Sequence, residues 1–72
     1  MKALFLVWAD DHLVEVSTFS RLGGANLNAT ARELIEDIRD ETDGRNYSCS
    51  IYLTVGRRLA FVGEEVIEGE KE

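Results

Sequence analysis

Residues 28–44, NATARELIEDIRDETDG, carry the longest helical pattern in this 72-residue chain. Apolar side chains recur at steps of three and four, the spacing of one face of an α-helix: Leu27, Ala31, Leu34, Ile35 and Ile38. Asn28 and Thr30 are both suitable N-caps, and Thr30-Ala31-Arg32-Glu33 matches a capping box. Gly44 is a suitable left-handed stop. The pattern therefore predicts one amphipathic helix across the whole segment.

The opposite side of the predicted helix is acidic. It carries Glu33, Glu36, Asp37, Asp40 and Glu41. Side chains three and four apart on a helix are about 5–6 Å from each other, and phosphates along one DNA strand have a comparable spacing of roughly 6–7 Å. Such a row can occupy a site built for a nucleic-acid backbone. The alternative is a helix face that serves only to be solvated, which is what most charge runs do.

Strand patterns flank the helix on both sides. Residues 2–9 form a dense apolar run, and a loosely alternating strand follows from 12 to 20. Residues 47–55 alternate strictly, and Gly56-Arg57 then turns the chain into a strand over 58–67, with Gly63 as a break or bulge. The predicted fold is α+β: β-β-α-β-β, a four-stranded, mainly antiparallel sheet with one helix packed on one face.

One helix covers only one face of such a sheet. The first strand has apolar side chains on both faces, so its second face needs a cover that this helix does not supply. We expect a second copy or a partner protein there. Burial of that face within the chain, by long side chains of the middle strands, is the alternative.

Composition limits the function. The net charge is −6 and the pI is near 4.6, which argues against direct binding to nucleic acid or to anionic membranes. The single cysteine, Cys49, excludes an internal disulfide and is expected to be a small buried hydrophobe. We expect a cytoplasmic protein with one domain, residues 1–72, and a frayed acidic tail over 67–72. The apolar run at the N-terminus is too short for a transmembrane span and marginal for a signal peptide.

Two further groups of residues are candidate sites. Asp10-Asp11-His12 has metal-binding residue types, but their place between two strands favours a turn, and no metal or cofactor is expected. Arg21, Gly23 and Gly24 precede the helix and could hold an anion at its N-terminus, although they match neither a Walker loop nor a Rossmann motif. This loop is the candidate ligand site of a homodimer that sequesters a nucleotide-like molecule.

No arrangement of catalytic residues is visible, so we expect a non-enzymatic binding protein. The favoured function is an inhibitor that blocks a basic, nucleic-acid-handling partner protein. In general character, but not in any residue motif, such a protein resembles phage-encoded inhibitors of host defence, including DNA mimics. An antitoxin-like or structural subunit that binds through an apolar sheet face is a further alternative. The residues expected to bind the partner are Glu33, Glu36, Asp37, Asp40, Glu41, Glu64 and Glu65.

Overall fold

Two β-hairpins and one helix form the described part of the protein. The computed structural model describes residues 2–20, 26–40 and 42–69. The elements in chain order are β1 (Ala3–Ala9), β2 (His12–Phe19), α1 (Leu27–Ile38), β3 (Tyr47–Val55) and β4 (Arg58–Ile67). The predicted β-β-α-β-β fold is confirmed, because the four strands form one sheet and the helix packs against it.

The sheet has the order β2-β1-β3-β4, and every neighbouring pair is antiparallel. The two hairpins are joined through β1 and β3, which are therefore the central strands. Both carry residues with high strand propensity, and alternate side chains of each are buried against the helix. The edge strands β2 and β4 are mostly exposed.

The core lies between the sheet and α1. The helix packs on β3 and β4, reaches β1 and makes no contact with β2 within the described residues. The residues buried in this layer are Ala3, Phe5, Val7, Ala9, Ala31, Ile35, Tyr47, Cys49, Ile51 and Ile67. At the uncovered β2 side, the ring of Phe19 meets Phe5 edge to face, with centroids 5.4 Å apart. Aromatic packing thus closes the core where the helix does not reach.

We call the second face of the sheet, which has no helix on it, the open face. Cross-strand pairing places its members in rows, since directly paired residues project on the same side. Its apolar residues are Leu4, Leu6, Trp8, Leu13, Val16, Tyr52, Leu59, Phe61 and Val66. The side chains of the central strands are half-buried by their neighbours, whereas those of the edge strands are exposed. Burial within the chain therefore does not close this face.

Register irregularities in both edge strands change which residues share a face. In β2, Val7 pairs with Glu15 and Trp8 with Leu13, so Val14 is the extra residue of a bulge. This bulge interrupts the alternation of β2, which the sequence already showed to be loose. In β4 the shift falls between the partners of Ile51 and Tyr52, next to Gly63. This confirms the bulge predicted at that glycine.

The helix begins at Leu27 and its N-cap is Asn26, not Asn28 or Thr30 as predicted. The Asn26 side-chain oxygen accepts hydrogen bonds from the backbone N–H of Asn28 at 3.0 Å and of Ala29 at 3.2 Å. The Thr30 hydroxyl donates to the Asn26 carbonyl at 3.1 Å. The Asn26 side chain therefore satisfies two of the free backbone donors of the first turn.

The helix ends at Ile38, six residues before the predicted stop at Gly44. Arg39 is extended, with φ −65° and ψ 136°. The helix does not continue, because Asp40 begins a turn. Asp40 Oδ1 accepts hydrogen bonds from the backbone N–H of Thr42 at 2.9 Å and from the Thr42 hydroxyl at 2.6 Å. Such side-chain bonds compete with the helical pattern of backbone bonds. Gly44 does have a left-handed backbone, with φ +68°, but as part of the connection to β3.

Residues 67–69 are better anchored than predicted. Ile67 is 8 % exposed and belongs to the core, so the tail is not frayed from residue 67. The backbone N–H of Gly69 donates to the Asn46 side chain at 2.9 Å. Residues 70–72 lie outside the described residues.

The two hairpin turns differ in their residues and in their backbone geometry. Asp10 and Asp11 both have positive φ, +46° and +69°, as a two-residue type I′ turn requires. Gly56 has φ +62° at the start of the β3–β4 turn, where glycine adopts this conformation freely. The first turn is held to the rest of the fold by Asp10, whose backbone N–H donates to the Asn46 carbonyl and whose carboxylate accepts from the Asn46 N–H, both at 2.9 Å.

Replacing Asp11 by glycine should stabilise the protein. A non-glycine residue in the left-handed region costs about 1 kcal/mol, and the flexibility of glycine in the unfolded chain offsets part of the gain. We therefore expect Asp11→Gly to raise the free energy of unfolding by about 0.5 kcal/mol, measured by urea denaturation. Asp10→Gly is the matched control and should gain less or lose stability, because it removes the carboxylate bonded to Asn46. A lower urea midpoint for Asp11→Gly would contradict the prediction.

Candidate functional site: an acidic helix face and an open sheet face

The outer side of α1 presents three exposed carboxylates, Glu33, Glu36 and Asp37, which we call the acidic helix face. The opposite side of the helix is buried at Ala31 and Ile35. Glu36 and Asp37 follow Glu33 by three and four residues, so the three side chains lie on neighbouring turns of one side of the helix. Within the described residues, no hydrogen bond or ion pair engages the side chains of Glu33 and Asp37. Both are therefore available to a partner.

Arg32 reduces the charge at one border of this face. Its Nε lies 3.9 Å from Glu36 Oε1, and its guanidinium also lies 3.9 Å from Glu65 Oε1. Both contacts are long, and the side chains that make them remain partly exposed, so each stabilises little and is readily exchanged for another partner. Glu65 Oε2 also accepts a hydrogen bond from the Asn28 side chain at 3.2 Å. Glu65 thus joins β4 to the first turn of α1.

Glu64 does not extend this acidic surface as predicted. It is opposite Ser50 on the open face, while its neighbour Glu65 is opposite Cys49 on the helix side. Successive residues of a strand project to opposite faces, so two adjacent glutamates in β4 cannot serve one surface. Of the predicted pair, only Glu65 lies beside the helix.

Asp40 is exposed but is not on the helix, contrary to the prediction. Hydrogen bonds from the hydroxyl and backbone N–H of Thr42 hold the pKa of the Asp40 carboxyl below its ordinary value. The carboxylate is thus already used to form the turn after α1. Glu41 lies outside the described residues. The acidic helix face is therefore shorter than the five-residue row predicted from the pattern.

Sequence reasoning missed a polar network that fixes the connection between α1 and β3. The Tyr47 hydroxyl donates to Asp43 Oδ2 at 2.9 Å and accepts from the Arg45 guanidinium at 3.1 Å. Arg45 also donates to Asp43 from its backbone N–H and its Nε, at 2.9 and 3.0 Å. The Arg45 backbone N–H, followed by the Tyr47 hydroxyl, lowers the pKa of the Asp43 carboxyl. The available signal was an Asp placed two residues before Arg45, the spacing at which its carboxylate accepts a hydrogen bond from the backbone N–H.

The remaining candidate residues have structural roles or lie outside the described residues. Asp10 and Asp11 form a turn as expected, and no cluster of potential metal ligands occurs among the described residues. Cys49 is fully buried, as predicted. Burial raises the pKa of its thiol to about 11, and the nearby charge of Glu65 makes a smaller contribution in the same direction. Its thiol is therefore protonated at neutral pH and unreactive. Arg21, Gly23 and Gly24 fall in the segment 21–25, outside the described residues.

A shallow depression of about 290 Å³ lies on the open face, lined by Trp8, Asp11, Ser48, Ser50 and Glu64. A second depression, about 280 Å³, adjoins it at Asp11 and Ser48, near the first hairpin turn. Ligand sites are normally concave and enclose most of a small molecule. Neither depression has that form, so the described residues offer no formed site for the small-ligand alternative.

Comparisons with protein-family models, with curated proteins and with solved structures find no match for this chain. The function must therefore be argued from the two surfaces themselves. The helix formed by the described residues, α1, is not long and apolar enough to span a bilayer.

Proposed function

We propose that this protein is a non-enzymatic inhibitor that occupies a basic, nucleic-acid-binding surface of a partner protein through the acidic helix face. The observation that carries the proposal is the pair Glu33 and Asp37, exposed and four residues apart with no partner among the described residues. Like charges at this spacing cost a few tenths of a kcal/mol in a helix. A helix that needed only solubility gains nothing from that cost.

The charge of the whole molecule favours the same class of partner. A net charge of −6 on 72 residues speeds encounter with a basic surface and repels nucleic acid itself. Contacts between these carboxylates and basic residues at the rim of an interface act mainly on the association rate, and salt weakens them. The proposed mechanism is exclusion: the helix carboxylates take the place of backbone phosphates, and the true ligand cannot enter.

The double variant Glu33→Lys/Asp37→Lys tests this function. We expect it to bind the partner at least about tenfold more weakly, since each lost charge contact is worth on the order of 1 kcal/mol and reversal adds repulsion. The control variant Glu15→Lys/Glu68→Lys makes the same change in net charge at exposed positions away from the acidic helix face. It should bind almost as the wild type does.

The measurement is capture of the partner from nuclease-treated host lysate on the three immobilised proteins. Support requires a nucleic-acid-binding protein that the wild type and the control variant retain, that the Glu33→Lys/Asp37→Lys variant does not, and that added duplex DNA or RNA displaces. Retention by all three proteins alike would show that the acidic helix face is only a solvated surface. Elution by salt alone, with no effect of nucleic acid, would exclude competition for a phosphate-binding site.

A second candidate function is that of a subunit that binds a protein through the open face. The specific observation in its favour is the exposure of large apolar residues there, among them Phe61 at 59 % and Leu59 at 57 %. Binding of this kind depends on apolar burial and does not weaken with salt. Salt dependence therefore separates the two candidates.

A further inference from the structure

We propose that the open face is the interface of a homodimer in which two copies of the sheet pack face to face. Five apolar side chains of the edge strands, spread over this face, are about half or more exposed: Leu13, Val16, Leu59, Phe61 and Val66. Between them lie the half-buried side chains of the central strands, and the rings of Tyr52 and Phe61 meet edge to face at 5.5 Å. A surface of this kind is unusual on a protein that acts alone.

The area of the open face reaches the lower limit of a specific protein interface. Four strands at a spacing of about 4.8 Å span roughly 19 Å, and the seven residues of β1, the shortest strand, extend about 23 Å. The plan area is thus about 440 Å² per copy, and the relief of the side chains increases the accessible area beyond it. Two copies bury on the order of 1,000 Å², the size at which specific interfaces begin.

The distribution of charge favours a second copy over a basic partner at this face. Within the four described strands, Glu64 is the one charged residue on the open face, and its place on the edge strand β4 puts it at the rim. The acidic helix face lies on the other side of the sheet. Two copies can therefore meet without opposing their carboxylates, whereas a basic partner finds almost no charge to bind here.

Dimerisation also solves a problem of stability. A domain of this size buries only about 60–65 % of the surface of its unfolded chain, and a single helix covers only part of one sheet face. Two sheets packed about 10 Å apart would bury the second side of β1 and β3 and leave both acidic helix faces on the outside. The protein would then present two partner-binding surfaces in opposite directions.

Sedimentation analysis of the wild type over a concentration series tests the proposal. The expected result is a reversible change from one to two copies, with a limiting mass of twice the 8.1 kDa of the chain, complete by about 200 µM. Salt should strengthen dimerisation, since it screens the repulsion between two acidic molecules. The emission of Trp8, the single tryptophan, should shift to the red on dilution because its ring is half-buried on this face.

Phe61→Asp and Val55→Asp form a matched pair of variants. The two wild-type residues are almost equally exposed, at 59 % and 61 %, but pairing with Arg58 places Val55 on the helix side. We expect Phe61→Asp to weaken dimerisation by about a hundredfold or more, since it places a charge in an apolar interface, and Val55→Asp to leave it within about threefold. Circular dichroism should show the wild-type fold for both.

Several outcomes would overturn this proposal. A wild type that remains at the mass of one copy at the highest concentration would do so, as would equal dimerisation by both variants. A monomer that needs Phe61 to bind a different protein would assign the open face to that protein instead. The opposite effects of salt, which should strengthen the dimer and weaken the contact of the acidic helix face with its target, allow either proposal to fail while the other stands.

Discussion

Phe5→Ala should lose about 3–5 kcal/mol of the free energy of unfolding, the usual cost of removing a buried phenyl ring. Phe5 is fully buried in the middle of the central strand β1 and holds the Phe19 ring at the side that the helix leaves uncovered. A domain of 72 residues has a total stability of roughly 4–11 kcal/mol. At the lower end of this range, the variant is close to unfolding at room temperature.

Urea denaturation followed by circular dichroism measures this effect. Protein concentration must be held constant, since any self-association adds to the stability of the folded state. Val55→Ala is the control, because it also removes apolar atoms from a strand but at a position that is 61 % exposed, and it should change stability by about 0.5 kcal/mol or less. A loss below about 1 kcal/mol for Phe5→Ala would mean that the layer between β1 and α1 is not closely packed.

The sequence pattern predicted the elements well because each one follows a local rule. Strict alternation over residues 47–55 gave the bounds of β3, Tyr47–Val55, and the run of apolar residues gave β1. The order of the strands has a different origin. It depends on how the two hairpins pair with each other, and the pairing of β1 with β3 joins distant parts of the chain that no local pattern specifies.

The error in the helix is physical. The apolar steps that justify a helix end at Ile38, and residues 41 and 42, three and four positions later, are Glu and Thr. Beyond Ile38 the predicted helix therefore had acidic residues but no apolar ones, and without apolar side chains a further turn cannot pack on the core. In the structure, the Asp40 carboxylate binds Thr42 and begins a turn in its place.

The same local competition limits what could be predicted of the candidate site. Glu33, Glu36 and Asp37 were placed correctly on the outer side of the helix because they lie within the periodic segment. Glu64 was misplaced because the acids of β4 were read as one group, although strand geometry separates neighbours. The carboxylates of Asp40 and Asp43 take donors from residues two positions later, Thr42 and Arg45, and the helical pattern predicted over 39–44 did not allow for these local hydrogen bonds.

Tyr47→Ala should also cost about 3–4 kcal/mol, and Tyr47→Phe about 1 kcal/mol, when measured by the same urea denaturation. The ring is part of the core at 2 % exposure, whereas the hydroxyl joins Asp43 and Arg45 in the connection that follows α1. The two substitutions separate these contributions: the alanine removes both, and the phenylalanine removes only the hydrogen bonds. Equal losses for the two variants would mean that the hydroxyl, and not the ring, carries the stability.

The pH dependence of stability tests the same network from its acidic member. Because the folded-state pKa of Asp43 lies below its ordinary value, its contribution is complete above the unfolded pKa of about 3.9 and is lost as the pH falls through the lower, folded value. We expect the wild type to lose stability below about pH 4, and Asp43→Asn, which cannot titrate there, to lose less over the same range.

Tyr47→Phe should also flatten the profile, since it removes one of the hydrogen bonds that lower this pKa. Thr42→Val, which removes a donor to Asp40 but none to Asp43, measures the separate contribution of the neighbouring turn. Identical acid profiles for the wild type and Asp43→Asn would contradict the prediction, because they would mean that the protonation of Asp43 does not change the free energy of unfolding.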